Sequence, residues 1–264
     1  MLTLSLQTAA AILKVLFVGV AVFVARRTTI GHSTMNAGWR WVAIAFAVSG
    51  VAGLLQSAWA IDAVRSGPSA RSYALYLEWL PAMNYGSFGI AILLGLALAA
   101  LPYLPERARR PGRGWFILVV IAGAIGVLLG RVEGGFDPAV NISRVSALQA
   151  LETVVLLAAL WTTLLRQALD SWLWLAMFVY AIRQAVNALV WAATVWVADP
   201  DGWHPPFWLS PSVGVAMWLV MIALALRRLH LARLGLPARA IFALPGGEEP
   251  GGLVSGTGID APRH

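Results

Sequence analysis

Seven apolar runs divide the chain, and they constrain its fold more than any other feature of the sequence. About 20 apolar residues in a helix cross the roughly 30 Å hydrocarbon layer of a bilayer. The sequence therefore predicts an all-α, polytopic membrane bundle of seven transmembrane helices. The runs cover residues 4–24, 39–61, 76–101, 115–129, 146–165, 171–199 and 207–226.

The overall composition agrees with a membrane-embedded chain. Of 264 residues, 59% are hydrophobic and only 12% are charged, which leaves too little polar surface for a soluble domain of this length. The chain contains no cysteine, so disulfides, thiolate metal sites and thiol nucleophiles are excluded. We divide it into a transmembrane domain, residues 1–233, and a flexible cytoplasmic tail rich in glycine and proline, residues 234–264.

Arginine carries nearly all of the positive charge, and its placement predicts the orientation of the bundle. The net charge is +7, and Lys14 is the only lysine. Most arginines lie in the first, third and fifth links between runs and after the last run. The positive-inside rule then places the N-terminus outside and the C-terminus inside. We expect the protein to lie in the cytoplasmic (inner) membrane of a bacterium. The partner of these positive charges is then the lipid bilayer, and no nucleic-acid partner is expected.

Charged and polar residues interrupt the apolar runs near the middle of the membrane. Arg183 in the sixth run is costly in hydrocarbon, so it is expected to face the protein interior and to have a partner. If the fifth and sixth runs form an antiparallel hairpin, Glu152 lies within roughly 3 Å of the depth of Arg183, at about 1.5 Å per residue. We therefore predict a Glu152–Arg183 pair. The candidate buried polar cluster consists of Lys14, Glu152, Tyr180, Arg183, Gln184 and Asn187.

Two interpretations of this cluster stay open. Two cations around one carboxylate, beside a polar stripe on the sixth helix, suit a cavity for an anionic ligand or for ion-coupled transport. The same residues are also consistent with purely structural bonding between helices, where each polar contact contributes about 1 kcal/mol.

Glycine and proline predict local packing in two of the runs. Gly123, Gly126 and Gly130 form a small-residue face on the fourth run, which predicts that this helix is packed inside the bundle. Pro81 is expected in the first turns of the third helix, where its missing N–H is tolerated.

Short tryptophan motifs recur in the two halves of the chain. They open the second and sixth runs (Trp39-Arg-Trp41 and Trp172-Leu-Trp174) and the third and seventh runs (Trp79-Leu-Pro81 and Trp208-Leu-Ser-Pro211). Because the matches keep their order, one interpretation is a 3+1+3 parallel repeat with the fourth run as connector, a layout used by some transporters. The alternative is an ordinary aromatic belt, since tryptophan is expected at span ends in any case.

No residue pattern points to catalysis, a metal ion or a cofactor. The chain lacks a Gly-rich phosphate loop, an HExxH helix and a GxSxG elbow. Its histidines lie outside the apolar middles of the runs, so haem ligation is not expected; they are His32, His204, His230 and His264. We predict that the protein is not an enzyme and has no catalytic residue, metal site or cofactor.

Three function classes follow from these features. The first, which we predict, is an accessory or structural subunit that docks other membrane protein subunits of a larger complex, or a signal relay. The missing chemical site and the 13 tryptophans favour it. The second is a transporter of a small solute, such as an anion, that uses the charged residues in the middle of the membrane. The third is a stand-alone membrane sensor.

Overall fold

The structure is a computed structural model that confirms an all-α bundle with seven long helices. It describes residues 2–27, 35, 37–105, 108–132, 138–196, 209–236 and 238, and this part of the chain contains no strand. Each helix is long and apolar enough to cross a membrane. The helices are α1 (Leu2–Arg27), α2 (Ala37–Ser66), α3 (Arg71–Ala100), α4 (Arg113–Val132), α5 (Pro138–Leu165), α6 (Ser171–Trp196) and α7 (Leu209–Arg233).

Six of the helices form a closed ring. Around the ring, α1 packs against α2, α2 against α3, α3 against α5, α5 against α6, α6 against α7, and α7 against α1. The chain thus passes from α3 to α5 through α4, yet α3 and α5 contact each other directly. The predicted hairpin of the fifth and sixth runs is present, with α5 and α6 joined by a link of residues 166–170.

The fourth helix lies on the outside of this ring, against α3 and α2. Its glycine face does make a close helix contact, because a Cβ atom on Gly126 would lie 2.2 Å from the Tyr85 carbonyl oxygen. A Cβ atom on Gly89 of α3 would lie 2.5 Å from the Ala122 carbonyl oxygen. Trp115 and Val119 are buried as well, but most other side chains of α4 are exposed, including Phe116 at 52%. The prediction that α4 is packed inside the bundle was therefore wrong, since its glycines bury one face only.

Several helices are longer than the apolar runs from which they were predicted. The clearest case is α3, which begins at Arg71, so Pro81 lies well inside the helix and not in its first turns. Polar residues at a helix end lengthen the helix without changing the hydropathy of its middle, which explains the difference. Of the predicted tail, residues 237 and 239–264 lie outside the described part of the chain.

The two ends of the bundle differ in charge. We call the end where α1, α3, α5 and α7 finish and α2, α4 and α6 begin the arginine-rich end; its exposed arginines include Arg27, Arg110 and Arg227. The other end, where α1 begins, is called the distal end.

Candidate functional site

A polar cavity occupies the ring and consists of two adjoining chambers. The wide chamber has a volume of about 370 Å³. The deep chamber has a volume of about 230 Å³. Both are lined by Lys14, Gln149 and Arg183, among other shared residues. All six ring helices contribute to the wide chamber, whereas α4 contributes to neither.

The cavity runs from the distal end to the middle of the bundle. The wide chamber is lined by Gln7 near the start of α1, Tyr76 near the start of α3, and Ser210 near the start of α7. The deep chamber continues inward to Phe46 and Leu94. The site is therefore located in the distal half, and its deepest part lies near the level of the charged residues.

An aromatic layer closes the cavity on the side of the arginine-rich end. The Phe46 ring centroid lies 5.3 Å from that of Trp218 and 5.0 Å from that of Tyr180. Phe17 packs beneath them, with ring centroids 5.7 Å from Trp218 and 6.4 Å from Trp39. Because these rings are in mutual contact, they separate the polar chambers from the arginine-rich end.

Arg183 projects into this cavity and is held by two neutral amides. Its Nη1 donates to Gln184 Oε1. With the Asn187 amide oriented to satisfy its neighbours, the Asn187 oxygen accepts from Nε and Nη2 of Arg183, at 3.0 Å each, and its nitrogen donates to Ser210 Oγ at 3.1 Å. Gly214 on α7 leaves space for the guanidinium, since a Cβ atom there would lie 3.6 Å from Nη2. Arg183 is thus held by amide groups, and no carboxylate of the described part of the chain forms an ion pair with it.

Glu152 is buried in the wall of the deep chamber, 4% exposed. Among the described residues, it forms no direct ion pair with Arg183, so the predicted direct pair is not present. Polar groups connect the two instead: Gln184 Nε2 donates to the Tyr180 hydroxyl at 3.2 Å, and both side chains interact with Glu152. The hairpin sets the two charges at a similar depth, but Gln184 and Tyr180 occupy the space between them.

Lys14 approaches the same chambers from α1. Its Nζ lies 5.3 Å from the Phe46 ring centroid and 5.7 Å from that of Trp218, so the ammonium group rests on the aromatic layer. Gly50 on α2 gives it passage, since a Cβ atom on Gly50 would lie 3.7 Å from Lys14 Cδ. The two cations therefore enter the cavity from different helices.

All six residues of the predicted polar cluster line the cavity. Lys14, Tyr180 and Arg183 line both chambers; Asn187 lines the wide one. Glu152 and Gln184 line the deep one. Further lining residues outside that predicted cluster come mainly from α2, α3 and α5; they include Ser49, Gln56, Asn84 and Gln149. A polar side chain inside an apolar run was the available signal for them.

A second buried polar cluster lies at the arginine-rich end and was missed entirely. Asp170 and Arg228 form an ion pair at 2.6 Å, with 0% and 2% of their side-chain surfaces exposed. Trp39 Nε1 donates to the same carboxylate at 3.1 Å, and Arg228 Nη1 donates to the Leu236 carbonyl oxygen at 3.2 Å. We call these three side chains the Asp170 clasp.

The Asp170 clasp fastens the starts of α2 and α6 to the end of α7. Asp170 also caps α6, because its Oδ1 accepts from the Trp172 backbone N–H at 3.2 Å. An aspartate directly before an apolar run is a recognisable N-cap signal in sequence. Nothing in the sequence distinguished Arg228 from its exposed neighbour Arg227.

The chain matches no protein-family model, no curated protein and no solved structure. Among the histidines, His230 is exposed at the end of α7, and His32, His204 and His264 lie outside the described residues. The described residues hold no group of three or more His, Asp or Glu side chains placed to hold a metal ion. The cavity is therefore the feature of the molecule that bears on function.

Proposed function

We propose that the protein binds a small organic anion in the transmembrane cavity and transports it across the membrane. The observation that carries this proposal is the hydrogen bonding of Arg183. This residue is a cation inside a transmembrane helix, and its hydrogen-bond partners are neutral amides. Its bonds to Gln184 and Asn187 use three of about five N–H donors in a guanidinium, so donors remain for a ligand. An intramembrane arginine that faces a cavity is characteristic of a substrate or ion pathway.

The charge balance of the cavity supports an anion. Lys14 and Arg183 contribute two positive charges, and Glu152 contributes one carboxylate. A ligand with a carboxylate group would offset the excess, and the fork of an arginine binds carboxylates with good geometry. A role in packing alone would not require the chambers beside these charges.

The neighbour relations of the helices support transport through a 3+1+3 parallel repeat. If α1, α2 and α3 correspond to α5, α6 and α7, the contacts α1–α2 and α2–α3 correspond to α5–α6 and α6–α7. The contact α3–α5 likewise corresponds to α7–α1. The set of ring contacts therefore maps onto itself, as a pseudo-two-fold axis through the cavity requires, and α4 is left outside as the connector.

Ligand binding is tested first by thermal stabilisation of the purified protein in detergent with chloride, phosphate, and carboxylates from acetate to hexanoate. A ligand at about 100 times its Kd stabilises a protein by about 2.7 kcal/mol. For a chain of this size that corresponds to an increase of about 5–10 °C in the unfolding temperature. We expect a carboxylate to produce such an increase. The absence of stabilisation by every anion would overturn the proposal.

Uptake of the stabilising carboxylate into proteoliposomes tests transport. We expect Arg183→Gln to abolish both stabilisation and uptake, and Arg183→Lys to retain part of both because it keeps the charge. Arg113→Gln is the matched control, since Arg113 is exposed at the start of α4. Equal effects of Arg183→Gln and Arg113→Gln would refute the assignment, and stabilisation without uptake would leave a sensor that binds the anion.

For orientation, we propose that the N-terminus and the distal end face the outside, as the arginine distribution favours. Because the chain has no cysteine, single cysteines can be introduced without further changes. Ser69 lies exposed in the link at the distal end, and Gly112 lies exposed at the arginine-rich end. An impermeant maleimide on intact cells should label Ser69→Cys and spare Gly112→Cys; the reverse pattern would invert the topology.

The accessory-subunit role predicted from the sequence stays a second candidate. One observation favours it: α4 contributes nothing to the cavity and exposes apolar side chains such as Ile117 and Leu128. A docking role predicts that a membrane protein co-purifies in mild detergent and is lost when Ile117 and Leu128 are changed to alanine. A preparation that runs as a lone monomer would exclude it.

A further inference from the structure

Three buried polar atoms of the deep chamber have no hydrogen-bond partner. They are Ser49 Oγ, Gln149 Oε1 and Glu152 Oε1, and no group of the described chain bonds to them. All three residues line the deep chamber. Ser49 and Glu152 are only 5% and 4% exposed, so these atoms are not surface groups in contact with bulk solvent. Buried polar groups are nearly always paired, and three exceptions around one chamber require an explanation.

The chemistry of these atoms defines the missing partner. A glutamine carbonyl oxygen and an ionised carboxylate only accept hydrogen bonds, and a serine hydroxyl both accepts and donates. The partner must therefore be a hydrogen-bond donor. Lys14 does not serve, because its Nζ rests on the rings of Phe46 and Trp218. Arg183 does not bond to these atoms either: its described hydrogen bonds go to Gln184 and Asn187, and its remaining donors are available to the carboxylate of a ligand.

The cavity thus presents two kinds of binding surface. Lys14 and Arg183, which line both chambers, provide positive charge and donors. Ser49, Gln149 and Glu152 provide acceptors in the deep chamber. A molecule that binds to both surfaces carries an anionic group at one end and a hydrogen-bond donor at the other.

We propose that the ligand is a small carboxylic acid that also carries a hydroxyl or amino group. The carboxylate binds the cationic side chains Lys14 and Arg183. The hydroxyl or ammonium group donates to Gln149, Glu152 and Ser49 in the deep chamber. This inference rests on the proposed function and narrows it to a substrate class.

Matched ligand series test this class by thermal stabilisation of the full-length protein. For each chain length from propionate to hexanoate, the plain acid is compared with its ω-hydroxy and ω-amino derivatives. A hydrogen bond to a charged group corresponds to at least a tenfold change in affinity. We expect the derivative of the fitting length to bind about 10-fold more tightly than the plain acid. Equal affinity at every length would overturn the inference.

Variants of the acceptors separate this inference from the proposed function. Gln149→Leu and Ser49→Ala should reduce the ratio of the affinity for the substituted acid to that for the plain acid, whereas the exposed Arg113→Gln should leave this ratio unchanged. Glu152→Gln should reduce the preference for the amino derivative most, because it removes the charge that an ammonium group needs. A preference that survives all three changes would refute the assignment. Binding of no acid at all would instead remove the proposed function itself.

Discussion

Replacing Arg228 by methionine should destabilise the bundle far more than the same change at Arg227. Arg228 is buried and ion-paired to Asp170, whereas Arg227 is exposed one residue away. Methionine keeps much of the side-chain volume but leaves the Asp170 carboxylate buried without its cationic partner. Removing one partner of a buried ion pair costs about 3–5 kcal/mol. Arg228→Met also removes the donor to the Leu236 carbonyl, which contributes about 1 kcal/mol.

The expected effect is a large shift in thermal stability. Together these losses amount to about 4–6 kcal/mol. A chain of this size loses about 2–4 °C of unfolding temperature per kcal/mol, so Arg228→Met should lower it by roughly 8–24 °C. The 13 tryptophans allow unfolding in detergent to be followed by intrinsic fluorescence at one fixed scan rate. Arg227→Met should change the unfolding temperature by no more than about 2 °C, as an exposed substitution does.

A double variant tests whether the effect arises from the unpaired charge. In Asp170→Asn/Arg228→Met, no buried charge remains, and the single amide oxygen can keep one of the two bonds that the two carboxylate oxygens accept, the α6 cap or the bond from Trp39. We expect the double variant to recover most of the stability that Arg228→Met loses. If the two losses add instead, the ion pair is not the source of the effect. If Arg228→Met lowers the unfolding temperature no more than Arg227→Met does, the buried ion pair does not contribute to stability and the prediction is refuted.

Two further predictions concern helix contacts and use the same unfolding assay. Trp39→Phe keeps an aromatic ring but removes the Nε1–H that donates to Asp170, which should cost about 1.5–3 kcal/mol of stability. The control is Trp161→Phe, at a tryptophan that is 62% exposed, which should cost below about 0.5 kcal/mol. Equal losses in the two variants would contradict the role of the indole donor. Gly126→Leu should force α4 away from α3 at a cost of about 1–3 kcal/mol or more, because even a Cβ atom there meets the Tyr85 carbonyl. Gly19→Leu is its control, since no heavy atom lies within 4 Å of a Cβ at Gly19, and a comparable loss there would show that the helix contact is not responsible.

Much of the polar site was predictable because depth in a membrane is a local property of the sequence. The position of a residue within an apolar run sets its height in the bundle, at about 1.5 Å per residue. Glu152 and Arg183 were therefore expected at one level, and the structure brings both, together with Lys14, to the same cavity. Which side chains would lie between them was not predictable, because that depends on the rotation of each helix about its own axis.

The Asp170 clasp was not predictable from the sequence. Arg228 and Asp170 are separated by 58 positions, and Trp39 is separated from Asp170 by 131. Tryptophan and arginine at helix ends are typical of a membrane interface, where lipid headgroups are the expected neighbours. Their burial in one polar cluster depends on how three helix ends converge, and the hydropathy pattern of the sequence does not predict which helix ends meet.

The sequence by itself determined the seven spans, their connectivity, the absence of cysteine chemistry and the depth of the charged residues, because each of these depends on composition or spacing along one helix. The tertiary structure alone decided that α4 lies outside a six-helix ring, that the polar cluster surrounds a cavity, and that Arg228 is buried while Arg227 is not. These outcomes depend on which helix faces meet. That choice is made by contacts between residues far apart in the chain, such as Gly126 against Tyr85 and Arg228 against Asp170.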